Sequence, residues 1–254
     1  MPETVLTERR GKVLLITLNR PDARNSVNRE LAEAMAAVLD DFDADDQVAV
    51  GVLNGAGKGF SAGMDLKGFA GGERPMLEGR GFAGIVERGA RKPLVAAVEG
   101  FALAGGLEIA LACDLLVAAK GARLGIPEAG VGLFAGAGAL LRLPRQMPLN
   151  LAMELALTAE PITAERAYEL GLVNRLAEPG EAVAVALELA DRIARNAPLA
   201  LAASKQILQE SKGLTNEAFW AYQAPHFEQV FGSQDAQEGA TAFAEKRPPS
   251  WTGR

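Results

Sequence analysis

Hydrophobic positions along the chain follow two rhythms, and each change of rhythm marks an element. Val5-Leu6-Thr7 and Val13-Leu14-Leu15-Ile16-Thr17-Leu18 flank a turn at Arg10-Gly11, which predicts a β-hairpin over residues 4–18. Asn19-Arg20-Pro21-Asp22 stops it, because proline cannot continue a central ladder. Leu31, Met35, Val38, Leu39 and Phe42 recur at helical spacing and predict an amphipathic helix over about 27–43. Val48 to Leu53 has the pattern of a buried strand, left by the glycine-rich loop Asn54–Gly59. A charged, glycine-rich gap at 68–75 precedes a predicted helix at about 76–91. A strand at 93–98, a helix at 105–112 and a strand at 115–118 follow. This alternation predicts an α/β fold with parallel pairing.

After residue 135 the pattern is almost wholly helical. Helices are predicted at about 136–143, 149–157, 163–170, 181–196, 199–211, 215–231 and 234–246, with one short strand at Leu172–Leu176. The expected organisation is a core over 1–195 and a helical C-terminal region over 196–254, able to pack on another subunit.

Composition narrows the function. With 254 residues, 49% of them hydrophobic, the chain can bury a sizeable core. A net charge of -6 argues against a general nucleic-acid binder, though it permits a local basic patch for a phosphorylated ligand. One cysteine, Cys113, excludes an internal disulfide framework and fits a reducing compartment. With one cysteine and one histidine, no His/Cys metal cluster forms within a chain. Met1-Pro2-Glu3-Thr4-Val5 lacks the pattern of a signal peptide, and no apolar run reaches the ~18 residues of a membrane span. A cytoplasmic protein without membrane or nucleic-acid partners is expected.

Three short motifs invite other functions. Gly59-Phe60-Ser61-Ala62-Gly63 fits the nucleophile elbow of serine hydrolases, with His226 downstream. The elbow needs a strand into the serine and a helix out of it, and glycine-rich segments stand on both sides here. Gly55-Ala56-Gly57-Lys58-Gly59 lacks the Ser or Thr of a phosphate-binding P-loop, and Gly136-Ala137-Gly138 lacks the preceding strand of a dinucleotide fingerprint. His226 lies among Phe219, Trp220, Tyr222, Phe227 and Phe231, which favours packing over catalysis.

Two acids stand out. Glu108 interrupts Leu107-Glu108-Ile109-Ala110-Leu111-Ala112-Cys113, and Glu128 follows Gly125-Ile126-Pro127. A single such acid fits a helix residue facing water. Two in apolar, glycine-rich settings also fit a titratable pair in one pocket, where burial raises one pKa and leaves the other carboxylate ionised. Phe60–Leu66 places backbone N–H groups in an irregular loop, and Ala104-Gly105-Gly106 opens the helix that carries Glu108. Two such donors converging on one oxygen would make an oxyanion hole. The same glycines also suit tight turns and close packing alone.

Taken together, these segments resemble the crotonase (enoyl-CoA hydratase/isomerase) superfamily over nearly the whole chain. The matching stretches are ITLNRPDARNSVN (16–28), GKGFSAGMDLK (57–67), KPLVAAVEGFALAGGLEIALACDLLVA (92–118), LGIPEAGVGLFAGAGALLRLPR (124–145), MELALTAEPITAERAYELGLVNRL (153–176) and AFAEKRPPSW (242–251). The resemblance implies a spiral of ββα-like turns with helical C-terminal segments packed across a trimer, in a family whose trimers often pair into hexamers. It implies an acyl-CoA thioester as partner and no separate cofactor or metal, since CoA arrives with the substrate. The Met64 and Gly105 N–H groups match the oxyanion hole, and Glu108 and Glu128 match the two catalytic glutamates, including their 20-residue separation. Arg24 and the Ala62 carbonyl match positions near the CoA phosphates and adenine. Gly63, Asp65, Leu66, Gly106 and Gly136 fall in the matching substrate-binding segments. Phe243 and Lys246 match residues that a neighbouring subunit lends to the adenine end.

The implied reaction is addition or removal of water across the 2,3 double bond of an enoyl-CoA. Phe134-Ala135-Gly136-Ala137-Gly138-Ala139-Leu140 departs from the proline and paired glycines of many hydratases, which leaves the acyl group open. GMDLK, GRGFAGIVE (79–87) and AFAEKRPPSWTGR resemble carnitinyl-CoA dehydratases at least as much as short-chain hydratases. A double-bond isomerase, a non-catalytic acyl-CoA binder and a serine hydrolase are the alternatives.

Overall fold

A computed structural model describes residues 3–254. The hairpin forms where the alternation predicts it: β1 (Val5–Arg10) and β2 (Val13–Leu18) pair antiparallel, Val5 with Leu18 through Arg10 with Val13. Helix α1 (Arg29–Ala44) starts where the Asn28 side chain accepts a hydrogen bond from the Leu31 N–H. It buries Leu31, Met35, Leu39 and Phe42. Strand β3 (Val50–Gly55) follows, and a short helix α2 (Leu66–Ala70) begins just before the predicted gap.

The helix predicted at 76–91 does not form. The chain makes a small hairpin there, β4 (Met76–Leu77) with β5 (Gly81–Phe82), followed by turns. Gly79, Gly81, Ala83 and Gly84 have φ between 55 and 72°, and a right-handed helix cannot hold so many left-handed residues. Gly84 is also a point of backbone contact, since a Cβ there would lie 2.4 Å from the Ala32 carbonyl oxygen of α1.

Beyond this point a two-strand unit repeats. β6 (Leu94–Val98), β7 (Phe101–Leu103) and α3 (Gly105–Ala112) make one turn; β8 (Leu115–Ala119), β9 (Arg123–Gly125) and a 3-10 turn at Pro127–Val131 make the next. Then come α4 (Ala139–Gln146), α5 (Leu149–Thr158), β10 (Ile162–Thr163), α6 (Ala164–Glu169) and β11 (Arg175–Ala177). The last four helices are α7 (Ala182–Ile193), α8 (Pro198–Glu210), α9 (Asn216–Phe231) and α10 (Gln234–Glu245). The first strand of each turn joins a six-stranded sheet, β1-β2-β3-β6-β8-β11, parallel from β2 onward. The second strands stack separately as β10-β9-β7. At two or three residues each, these strands carry too little periodicity to be seen in the sequence, and the strand predicted at Leu172–Leu176 lies instead at β11.

Both faces of the large sheet are covered, as parallel sheets require. Ile16, Leu18, Leu53, Leu94, Ala96, Val98, Leu116 and Ala118 share one core with α1 and α3, while Val13, Leu15, Val50, Val52, Val95, Ala97, Val117 and Ala119 meet α7. Helix α7 presents Ala182, Ala186, Ala190 and Ala194 along one stripe, a four-residue spacing that lets it lie close. Lys205 of α8 docks on this body through an ion pair with Asp114 at 2.7 Å and a hydrogen bond to the Lys92 carbonyl at 2.9 Å. Next to Asp114, Cys113 is buried and its thiol is pushed up to about 12 by desolvation, so it is a core residue. No helix among the described residues is long and apolar enough to cross a membrane. This is the α/β spiral with a helical C-terminal region that the resemblance implies.

Candidate active site

The spacing of the two glutamates follows from the spiral. β7 and β9 are parallel neighbours with Leu103 opposite Gly125. Glu108 lies five residues beyond Leu103 and Glu128 three beyond Gly125, so the 20-residue interval is one turn of the fold. The Ala104 N–H donates to the Gly125 carbonyl at 2.9 Å and ties the two exits together. Both acids are buried, with exposures of 3% and 9%, and the Glu108 charge opposes ionisation of Glu128.

Their surroundings differ. Oε1 of Glu108 accepts from the Ala137 N–H at 2.7 Å and the Ala139 N–H at 3.0 Å, at the start of α4. Burial raises its pKa, while these two donors and the Arg142 guanidinium work to keep it ionised. Glu128 has only its own main-chain N–H to favour the charged form. Its Oε2 is buried without a hydrogen-bond partner among the described residues, and desolvation, seconded by the Glu108 charge, pushes its pKa up to about 7. Burial raises both carboxyls, but only Glu108 has donors from another segment and a cation opposing the rise.

Two free donors lie beside the start of α3. The Met64 N–H and the Gly105 N–H find no acceptor among the described residues, Gly105 because the first N–H of a helix has none inside it. Glycines hold the two segments together. A Cβ on Gly63 would fall 2.7 Å from the Gly105 nitrogen, and one on Gly106 would fall 2.1 Å from the Ser61 carbonyl oxygen. The Leu103 N–H donates to that same Ser61 carbonyl at 3.0 Å. Ala104, at φ 53° and ψ -132°, holds a conformation that costs an L-residue energy, a local strain that aims the Gly105 N–H.

A buried carboxylate pair near two unpaired N–H groups is an arrangement able to move protons and to hold an oxyanion. The sequence profile of the enoyl-CoA hydratase/isomerase family matches residues 8–254. The chain belongs to that family. A carnitinyl-CoA dehydratase of Salmonella arizonae is 40% identical over the full length of both chains. A short-chain-enoyl-CoA hydratase of Clostridium acetobutylicum is 38% identical over 96% of this chain and 95% of its own. The crystal structure of an enoyl-CoA hydratase from Mycobacterium tuberculosis H37Rv matches with a TM-score of 0.97 at 53% identity, over 99% of this chain and all of that one. Enzymes of this family act on acyl-CoA thioesters, and this chain is a hydratase-like lyase among them.

The remaining candidates divide. Arg24 is exposed at φ 54°, and its carbonyl accepts from the Ala62 N–H at 3.0 Å, so these two positions are neighbours beside the Met64 loop. Asp65 is committed to the fold. It caps α2 through the Lys67 and Gly68 N–H groups and pairs with Arg20 at 3.0 Å, and these contacts outweigh burial to hold its carboxyl below the ordinary range. Leu66 and Gly136 are exposed. Phe243, 88% exposed, and Lys246 stand on and just after α10, and the single chain does not bring them to the glutamates.

The serine-hydrolase reading fails on geometry. Ser61 is fully buried, its Oγ donates to the Asn25 carbonyl at 2.8 Å and accepts from the Gly63 N–H at 3.1 Å, and His226 packs against the Tyr222 ring on α9. Sequence reasoning missed Phe82, whose ring would meet a Gly105 Cβ at 2.5 Å, because the segment at 76–91 was expected to be helical. It also missed the Ala137 and Ala139 N–H groups, since main-chain donors leave no side-chain signal, and Arg142, whose approach to Glu108 arises only in the folded chain.

Proposed function

We propose that this enzyme adds water to, or removes it from, the 2,3 double bond of an acyl-CoA thioester, with Glu108 as base and Glu128 as acid. The observation that carries this reading is the unlike environment of the two buried glutamates beside the free Met64 and Gly105 N–H groups. As water attacks carbon 3, negative charge builds on the thioester oxygen, and two main-chain donors are placed to receive it. Glu108, kept ionised, takes the proton from water; Glu128, kept neutral, delivers one to carbon 2. The two acids titrate as a coupled pair.

Two pH limbs follow. Hydration requires protonated Glu128, so kcat/KM falls as pH rises through about 7. It also requires ionised Glu108, so activity falls again at acid pH, at a limb set above the ordinary glutamate range by burial. Loss of the conjugated enoyl-thioester absorbance of crotonyl-CoA, followed across pH, reads both limbs. Ser61→Ala separates this reading from a serine hydrolase: turnover should persist, lowered only as far as loss of the Asn25 and Gly63 hydrogen bonds loosens the Met64 loop, whereas a serine nucleophile would lose it all. A wild-type protein that leaves crotonyl-CoA, longer and branched enoyl thioesters and carnitinyl-CoA all unchanged would sink the proposal.

The full-length likeness to a carnitinyl-CoA dehydratase supports a second reading of the acyl group, in which a carnitinyl thioester is the better substrate. The kcat/KM ratio of the two thioesters decides it. A double-bond isomerase needs only one acid–base group, and a 3-enoyl thioester tests for that activity.

The exposed Phe243 and Lys246, with the exposed apolar Leu140, Leu141, Leu149, Met153 and Leu157, support a homotrimer or paired trimers in which a neighbour supplies α10 to the CoA site. Sedimentation equilibrium should give the mass of three or six chains. A stable monomer with full activity would refute it.

A further inference from the structure

The mechanism above uses Glu108 as an ionised base but leaves unused the half-buried cation beside it. Arg142 lies on α4, one turn after Gly138, with its guanidinium turned back over the helix start. The packing is close enough that a Cβ on Gly138 would fall 2.1 Å from Nη1. Nη2 donates to the Val86 carbonyl at 2.5 Å, and Nη1 approaches the Ala137 carbonyl at 3.5 Å. Val86 belongs to the turn-rich segment after β5, and Ala137 belongs to the loop whose N–H groups hold Glu108 Oε1. The guanidinium therefore bridges two loops at the point where Glu108 is gripped. The planar fork reaches the two carbonyls from two different nitrogens, a geometry that a single ammonium nitrogen does not reproduce.

Its charge matters as well as its shape. Glu108 faces Arg142 from α4 and Glu128 from the Pro127–Val131 turn. Arg142 in turn faces Glu108, the Cys113 thiol at the end of α3, and Arg145 on its own helix. Burial disfavours the Arg142 charge and Glu108 favours it. No direct ion pair joins the two among the described residues, so the cation acts across the loop that it clamps. A half-buried charge that burial opposes, and that contacts only main-chain carbonyls, is poorly explained by stability alone.

We propose that Arg142 is a positioning residue for Glu108: it pins the Ala137–Gly138 loop to Val86 and so aims the Ala137 and Ala139 N–H groups at Oε1. The kinetic consequence rests on the hydratase reading; the effect on the ionisation of Glu108 does not.

The test uses Arg142→Gln and Arg142→Lys in the full-length enzyme. With crotonyl-CoA, Arg142→Gln should lose about 10–100-fold in kcat with KM within about threefold, the size of a weakened acid–base contribution. The acid limb of its pH profile should move up by about one unit, as for loss of a nearby opposite charge. Arg142→Lys keeps the charge and loses the fork, so its limb should stay near the wild-type position while kcat falls several-fold. Carboxyl ¹³C NMR of labelled glutamate, assigned with Glu108→Gln, should show the Glu108 titration moving upward in Arg142→Gln and little in Arg142→Lys. An acid limb and a Glu108 resonance that titrate as in wild type in Arg142→Gln overturn the proposal, whatever happens to kcat. If Arg142→Gln does not fold, Arg142→Lys decides: unchanged kcat with an unchanged limb overturns it, and lower kcat with an unchanged limb supports it. If the wild-type protein hydrates no enoyl thioester, the functional reading has failed separately, and the NMR titration alone judges Arg142.

Discussion

Glu128→Gln should lower kcat for crotonyl-CoA hydration by about 10²–10⁴-fold while making the protein more stable above neutral pH. The two effects have one cause. Glu128 is buried, with one oxygen unpartnered and a neighbouring negative charge, so its folded pKa stands at about 7 against an ordinary 4.5. Below the ordinary value the carboxyl is neutral in folded and unfolded chains alike, and its protonation adds no pH dependence. As pH rises, the unfolded chain ionises first while the folded chain keeps its proton, so stability falls steadily until about 7 and stays low above it. Glutamine keeps the shape and removes the charge. The variant should therefore gain on the order of 2 kcal/mol over wild type above pH 7, and little at acid pH. Parallel thermal melts and rate measurements at acid and alkaline pH check both halves. A variant that is inactive and also less stable at alkaline pH would point to a structural role for Glu128 and remove it as the acid.

Gly106→Ala should be one of the most damaging single methyls in the chain. Its new Cβ would fall 2.1 Å from the Ser61 carbonyl oxygen, a backbone atom already held by the Leu103 N–H. Neither side can yield cheaply. α3 is fixed behind Gly106 by buried Leu107, Ile109 and Ala110, and the Ser61 segment is held by the Asn25 carbonyl and the Gly63 N–H. Overpacking of this kind costs about 3 kcal/mol, roughly 6–12 °C in Tm for a chain of this size. The displacement also parts the Met64 and Gly105 N–H groups, which flank the clash, and loss of one such donor lowers kcat by about 10²–10³-fold. Calorimetry and crotonyl-CoA turnover read the two effects. A Gly106→Ala enzyme that melts within about two degrees of wild type and turns over normally would show that the two loops are not locked together as described.

The glutamates and the glycines differ in how far the sequence reveals them. Glu108 and Glu128 were visible in the sequence because a carboxylate in an apolar run breaks a pattern, and the spiral turns out to be why their interval is 20 residues. Gly63, Gly105 and Gly106 were visible as glycines, but which close contact each permits appears only once β7, the Ser61 segment and α3 are assembled.

By itself the sequence determined the hairpin, the buried parallel strands, the helical second half and the family, because these depend on periodicity and composition summed over many residues. Tertiary structure alone decided the rest. Residues 76–91 have apolar spacing that suits a helix, yet four left-handed residues and the contact of Gly84 with α1 fold them into a hairpin that sets Phe82 against Gly105. β7, β9 and β10 exist only because neighbouring turns of the spiral offer them partners, since strands of two or three residues have no stability of their own. The unlike surroundings of the glutamates come from main-chain N–H groups and a guanidinium about 30 residues away in the chain, close only in the folded protein. Local pattern chose the residues, and long-range packing gave each of them its environment.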